Sequence, residues 1–179
     1  PTRLDSSAAS DVYKRQAKHL RLKAAWMEQE LRKLAPQTII MVDEPYMSSF
    51  GSAFVSLNRA EVITAMEEVF AGIEGLKGVH CCGNTDWSLL LSTTVDIVNL
   101  DAYQYADALA LYPDEVSEFL DRGGIIAWGI VPASEQVHEE TVPQQCTPFK
   151  PSIPAKTSSI AVITSSRFRD TKAEPKLLI

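Results

Sequence analysis

The chain has 179 residues, of which 45% are hydrophobic and 22% are charged, and its mean hydropathy is -0.05. This composition is typical of a globular domain and excludes wholly disordered and collagen-like proteins. No apolar run approaches the roughly 20 residues that cross a bilayer, and the first residues lack the basic-then-apolar order of a secretory signal. That lack of a membrane-spanning run predicts no membrane partner. Three cysteines are too few for a disulfide framework, so we expect a reducing, cytoplasmic location.

Charge is distributed unevenly along the chain. Residues 36–140 carry three basic and seventeen acidic side chains. Residues 1–35 carry eight basic and four acidic ones, and residues 141–179 carry six basic and two acidic ones. A nucleic-acid surface requires clustered Lys and Arg, so the acidic centre predicts that nucleic acid is not a partner.

The two basic ends differ in pattern from the centre. Residues 6–16 resemble the translation of a common transposase-based sequencing adapter, which predicts that residues 1–16 are disordered read-through of library DNA. The alternative is a disordered leader rich in Ser and Ala. Residues 143–179 hold five of the ten prolines and are either a flexible tail or the product of a lost reading frame near Val142. Within them, only residues 159–164 have the pattern of a strand.

Between these ends, in residues 17–142, apolar β-rich segments alternate with helical patterns. The predicted strands are residues 38–43, 78–82, 97–101 and 125–131, and the predicted helices are residues 17–34, 59–75, 87–91 and 113–122. Asn58 and Glu61 have the spacing of a capping box. Alternating strands and helices predict an α/β fold with a parallel sheet. Four such units are either half of a (β/α)8 TIM barrel or a small complete doubly wound sheet.

Chemically active residues follow the predicted strands. Active sites of barrels and open α/β sheets lie at the carboxyl ends of the strands. His80 and Cys82 alternate along one strand, so we expect them on the same face, with Cys81 pointing toward the helices. An imidazole and a thiolate are good zinc ligands. The alternative is a buried strand with two small apolar thiols and a hydrogen-bonded histidine.

Four runs, in this order, resemble the C-terminal barrel of cobalamin-independent methionine synthase and its relatives in the uroporphyrinogen decarboxylase-like superfamily. They are Val42–Pro45, His80–Gly83, Asp96–Asp101 and Gly129–Pro132. The resemblance covers residues 17–140 and implies the C-terminal half of a (β/α)8 barrel. It also implies that the chain is a fragment whose first strands are missing.

The resemblance implies zinc as the cofactor. In that family zinc binds a substrate thiol, lowers its pKa and presents the thiolate for methyl transfer. The implied metal ligands are His80, Cys82 and Asp101. The resemblance further implies that Asp43 binds the amino group of a thiol such as homocysteine and that His138 donates a proton. The methyl donor would be a folate or a corrinoid.

Several of these roles have alternatives in the residues themselves. Asp101 stands where the synthases carry Glu, and its shorter side chain leaves open whether its carboxylate reaches the metal. The remaining thiolate ligand would have to be Cys146, which lies in the tail. Asp43 could instead be a solvated strand end, and His138 a solvated histidine at the start of a helix.

The leading interpretation is zinc-dependent methyl transfer to a thiol. A second is a decarboxylase-like or corrinoid-linked methyltransferase barrel of the same superfamily. A third is a non-catalytic half-barrel, which we expect to self-associate because its sheet has an open edge and an uncovered core.

Overall fold

The architecture is taken from a computed structural model that describes residues 6–51, 58–132, 134–138 and 160–162. The elements in chain order are α1 (Ser6–Arg32), β1 (Ile39–Asp43), α2 (Arg59–Phe70), β2 (Leu76–Cys81), α3 (Trp87–Leu91), β3 (Ile97–Leu100), α4 (Ala102–Leu109), α5 (Pro113–Asp121), β4 (Ile125–Trp128) and β5 (Ile160–Val162). Two short 3-10 helices span Pro45–Ser49 and Glu135–His138.

The strands form one sheet in the order β1-β2-β3-β4-β5, and every neighbouring pair is parallel. A doubly wound sheet reverses its strand order at a switch point, whereas a barrel keeps the order of the chain. The sequential order therefore decides between the two predicted folds. The fold is α/β with the arrangement of half a (β/α)8 barrel, as predicted.

The hydrophobic core lies between the helices and one face of the sheet. From the strands it takes Ile40, Val79, Cys81, Val98, Leu100, Ile126 and Trp128, and from the helices it takes Ala24, Val62, Met66, Phe70, Leu90, Val116 and Phe119. The opposite face is open near β1, where Ile39, Met41 and Leu76 are all more than 40% exposed. In a closed barrel this second face would be the packed interior.

Met41 lies across this open face over Gly78. The two residues are paired in the register of β1 and β2, so both are oriented toward the same side of the sheet. A Cβ atom at Gly78 would collide with the Met41 sulfur. The thioether therefore occupies the space that a side chain at residue 78 would need.

Local signals in the sequence agree with several element boundaries. Asn58 Oδ1 accepts a hydrogen bond from Glu61 N at 3.0 Å, and Glu61 Oε2 accepts one from Asn58 N at 3.0 Å, which confirms the capping box. Helix α3 has the predicted bounds. Helix α4 was not predicted; it has only eight residues, buries only Ala102 and Leu109, and is distorted at Tyr105, so its helical pattern extends over little more than two turns.

Helix α1 begins earlier than predicted. Residues 6–16, which we expected to be disordered, continue the helix toward the N-terminus, and Lys14, Arg15 and Gln16 are exposed on it. These three residue types favour helix, and extending an existing helix costs less free energy than nucleating one. The origin of this segment in adapter DNA stays a prediction.

Part of the tail belongs to the sheet. Strand β5 lies within residues 159–164, where the sequence predicts a strand, and it pairs with β4 so that Ile160 is opposite Ile126. The expectation that residues after Val142 pack poorly against the domain does not hold for this strand. Cys146 lies outside the described residues. Within the described ranges, no helix has the length and apolarity needed to cross a bilayer.

Candidate functional site at the carboxyl ends of the strands

The carboxyl ends of β1, β2 and β3 bring several of the predicted residues to one rim of the sheet. Asp43 is opposite His80 in the β1–β2 register, and Asn99 is opposite His80 in the β2–β3 register. The backbone N–H of Glu44 donates to the carbonyl of His80 at 2.9 Å, which continues the pairing one residue beyond β1. Cys82 and Asp101 directly follow β2 and β3.

The imidazole of His80 is oriented by Asn99. His80 Nδ1 lies 2.6 Å from Asn99 Oδ1, and Asn99 Nδ2 donates to the carbonyl of Ala127 at 2.8 Å. Because a carbonyl only accepts, the Asn99 amide nitrogen faces Ala127 and its oxygen faces His80. His80 Nδ1 therefore donates, and in the neutral ring Nε2 keeps its lone pair for a proton or a cation.

The two adjacent cysteines have opposite environments. Cys81 is fully buried, and its Sγ–H donates to the carbonyl of Gly83 at 3.4 Å. Burial raises the pKa of the Cys81 thiol, the hydrogen bond to Gly83 lowers it, and the nearby Cys82 and Glu44 raise it by smaller amounts. Cys82 is exposed. The prediction that Cys81 faces the helix layer is confirmed, and Cys82 is the thiol that a ligand can reach.

Glu44 is the less exposed of the two carboxylic acids that follow β1. Asp43 is exposed, whereas Glu44 is half-buried. Burial raises the pKa of Glu44, and the neighbouring Asp43 carboxylate raises it further. A carboxyl group with a raised pKa is suited to donate a proton. The sequence favoured Asp43 for substrate binding, and the structure adds Glu44 as a candidate acid at the same strand end.

Asp101 is the N-cap of α4. Its Oδ1 accepts from Gln104 N at 3.2 Å, and its Oδ2 accepts from Gln104 Nε2 at 2.7 Å. Each oxygen thus has a local donor, so a metal ion at Asp101 would compete with the cap. Its predicted role as a metal ligand stays a prediction.

The loop after β4 approaches the site closely. Gly129 N donates to the carbonyl of Leu100 at 2.9 Å, and Tyr103 N donates to the carbonyl of Gly129 at 3.0 Å. A Cβ atom at Gly129 would lie 2.7 Å from the Leu100 oxygen. This approach therefore requires glycine, and it ties the start of α4 to the end of β4.

The described residues do not by themselves assemble a metal centre. Among them there is no group of three or more His, Cys, Asp or Glu side chains that could hold a metal ion. His80 and Cys82 are suitable donor types, but a structural zinc site normally has four ligands and a catalytic site three. Further ligands would have to come from residues such as Cys146, outside the described ranges.

His138 and two tryptophans complete the set of residues singled out by the sequence. His138 ends the 3-10 helix Glu135–His138, and its side chain is exposed. Its predicted role as a proton donor stays a prediction. Trp87 and Trp128 are buried in the core, as expected.

Asn99 is the residue of this site that the sequence analysis did not single out. It is one amide within the otherwise apolar strand Ile97–Leu100. A polar side chain in such a strand has to find a hydrogen-bond partner, and this could have marked it. Its partners were not predictable without the strand register.

Comparisons with protein-family models, with curated proteins and with solved structures gave no match for this chain. The resemblance to the methionine synthase barrel therefore depends on the four ordered sequence runs alone and stays a prediction.

Proposed function

We propose that this chain forms the part of a methyltransferase barrel that binds and activates a small thiol, such as homocysteine, in a zinc-dependent reaction. The observation that supports it most directly is the hydrogen bond from His80 Nδ1 to Asn99 Oδ1. Metal-binding histidines usually donate their second ring N–H to an oxygen acceptor, which fixes the tautomer and the direction of the ligating nitrogen.

In this proposal His80 Nε2 and the Cys82 thiolate are two of the zinc ligands. The remaining ligands come from residues outside the described ranges, with Asp101 as a weaker candidate. Zinc would supply a lowered pKa for the substrate thiol. A thiolate is the nucleophile that a methyl donor, a folate or a corrinoid, requires.

The carboxylic acids at the end of β1 have separate roles in the proposal. Asp43 is exposed at the strand end, where its carboxylate would pair with the ammonium group of an amino-acid thiol. Glu44 and His138 are the candidates for proton donation. Homocysteine carries both the thiol and the ammonium group that this arrangement would recognise.

The experiment measures metal content and cobalt spectra of the purified chain, prepared with reductant and without chelator. We expect stoichiometric zinc, and a thiolate-to-cobalt charge-transfer band after exchange. Cys82→Ser should lose the metal and the band. The matched control, Cys81→Ser, should keep both, because the Cys81 side chain is buried in the core. Asp101→Ala should weaken binding less than Cys82→Ser.

Two results would contradict the proposal. Substoichiometric zinc in the wild-type chain, and in any longer protein that contains it, would contradict both zinc binding and the activation of a thiol by zinc. Equal metal loss in the Cys81 and Cys82 variants would show that the two thiols have been assigned to the wrong sides of the strand.

A further inference from the structure

A short segment after β1 is fixed against β2 and the core. We call residues 44–50 the rim segment; it contains the 3-10 helix Pro45–Ser49. At its start, Glu44 N donates to the carbonyl of His80 at 2.9 Å. In its middle, the side chain of Met47 is only 4% exposed and belongs to the hydrophobic core. The rim segment is therefore held at two points, by β2 and by the core.

Thr85 joins the rim segment to the loop that follows β2. Its hydroxyl donates to the carbonyl of Met47 at 2.7 Å, across 38 positions of the sequence. The same carbonyl accepts from Phe50 N at 3.1 Å, at the end of the 3-10 helix. Thr85 is half-buried, so water competes less for this bond than it would at a fully exposed site. One hydroxyl thus connects the two loops.

Gly83 lies against the same segment. A Cβ atom at Gly83 would be 2.7 Å from the Cβ atom of Ser48, which is closer than ordinary packing allows. The lack of a side chain therefore lets the loop after β2 approach the 3-10 helix. From the other side, Cys81 Sγ–H donates to the carbonyl of Gly83 at 3.4 Å. Gly83 thus has contacts with both the rim segment and the end of β2.

Cys82 lies between these contacts. Cys81 before it is buried in the core, Gly83 after it packs against Ser48, and the Thr85 hydroxyl holds the loop three residues later. Cys82 itself is exposed. Its backbone is therefore fixed on both sides, while its thiol faces solvent. A site whose groups are in place before the ligand arrives binds more tightly than one that has to be ordered by it.

We propose that Thr85 is a positioning residue of this site. Its hydroxyl fastens the rim segment to the loop after β2, and so it fixes Glu44 and Cys82 relative to each other before any ligand binds. The part of Cys82 as a metal ligand rests on the proposed function, whereas the fastening of the two loops does not. Thr85 acts through the backbone and touches neither metal nor substrate.

The test compares cobalt affinity and amide hydrogen exchange of the whole chain. Thr85→Val removes the hydroxyl with little change of shape. The matched control is Thr64→Val, which removes a hydroxyl that donates to the carbonyl of Ala60 at 2.7 Å on α2. Thr85→Val should weaken cobalt binding by roughly fivefold and speed exchange of the Glu44 and Phe50 amides by a similar factor, the contribution of one hydrogen bond. Thr64→Val should change neither, and Thr85→Ser, which keeps a hydroxyl, should restore both.

A second pair of variants tests the same contact by size. Gly83→Ala should weaken cobalt binding because its Cβ atom displaces Ser48, and Gly83→Ala combined with Ser48→Gly should recover affinity because the colliding atom is gone.

Three results would overturn the proposal. They are unchanged exchange in Thr85→Val, equal effects of Thr85→Val and Thr64→Val, and faster exchange with unchanged cobalt affinity, which would leave Thr85 a structural role only. If the wild type binds no cobalt, the proposed function fails, and the exchange rates alone decide whether Thr85 holds the two loops together.

Discussion

Apart from Asp101, which caps α4, the carboxylates described at the two ends of the sheet are used in opposite ways. At the amino ends of the strands, Glu67 accepts from Thr94 N at 2.6 Å and Asp96 accepts from Lys77 N at 2.9 Å. At the carboxyl ends, Asp43 is exposed and burial raises the pKa of Glu44. Carboxylates that are bonded to backbone N–H groups hold loops in place, whereas those held in a less favourable charged state are available for chemistry.

Glu28 is the clearest example at the amino ends. It is only 3% exposed, and it accepts from Glu74 N at 2.7 Å, from Gly75 N at 2.6 Å and from the Thr38 hydroxyl at 2.7 Å. Burial alone would raise its pKa, but these hydrogen bonds and Arg32 together hold the pKa of Glu28 below its ordinary value. One buried side chain therefore joins α1 to the segments that lead into β1 and β2.

The largest expected effect is the loss of this junction. Glu28→Ala would leave two backbone N–H groups and a hydroxyl without their acceptor, and we expect it to lower the free energy of unfolding by about 3 kcal/mol or more. Urea denaturation measures the change. The control is Glu30→Ala, which removes a surface pair with Lys33 and should cost less than about 1 kcal/mol. Equal losses would show that Glu28 is no more important than a surface residue.

The same carboxylate should make the fold sensitive to acid. Because the pKa of Glu28 is lower in the folded state, its stabilisation is present above the ordinary pKa of Glu and is lost as the pH falls through the folded value. We expect the urea midpoint to fall more between pH 7 and pH 3 in the wild type than in Glu28→Gln. If the urea midpoints of the two proteins fall in parallel with pH, Glu28 is not the cause of the sensitivity to acid.

At the carboxyl ends, Asn99→Leu should release the imidazole of His80. The variant loses both hydrogen bonds of Asn99, and we expect a cost of about 1–2 kcal/mol in stability. Nitrogen NMR of the ring should show the Nδ1–H tautomer in the wild type and a shift toward Nε2–H in the variant. Asn99→Asp keeps an acceptor and should keep the wild-type tautomer. If zinc is bound, Asn99→Leu should also reduce its affinity by about 10–100-fold.

The smallest expected effect has the opposite sign to that of Glu28. A raised pKa means that the folded state holds the Glu44 proton more tightly, so stability falls as the pH rises from the ordinary pKa through the folded value. Glu44→Gln removes this penalty and should raise the urea midpoint slightly at pH 7 but not at pH 4. A lower midpoint at pH 7 would mean that the charged form of Glu44 is stabilising and that the contrast between the two ends fails.

Features that depend on neighbouring residues in the chain were predictable from the sequence. The capping box of Asn58 and Glu61 and the inward direction of Cys81 follow from spacing alone. Features that depend on register were not. Asn99 and Ala127 are 28 residues apart, and Glu28 and Gly75 are 47 apart, so neither contact exists until the strands are aligned. Helix α4 was missed because it is short and distorted at Tyr105, and because its start is defined by the capping side chain of Asp101.

The position of Met41 over Gly78 also has a consequence for oxidation. Its sulfur lies on the open face of the sheet, and the side chain is partly accessible to solvent. Peroxide converts an accessible thioether to a polar sulfoxide, and coverage of the sulfur slows this reaction. The rate of Met41 oxidation, followed by peptide mass spectrometry, therefore measures how accessible this face of the sheet is to solvent. A packed interior would protect Met41, and an uncovered sheet would expose it.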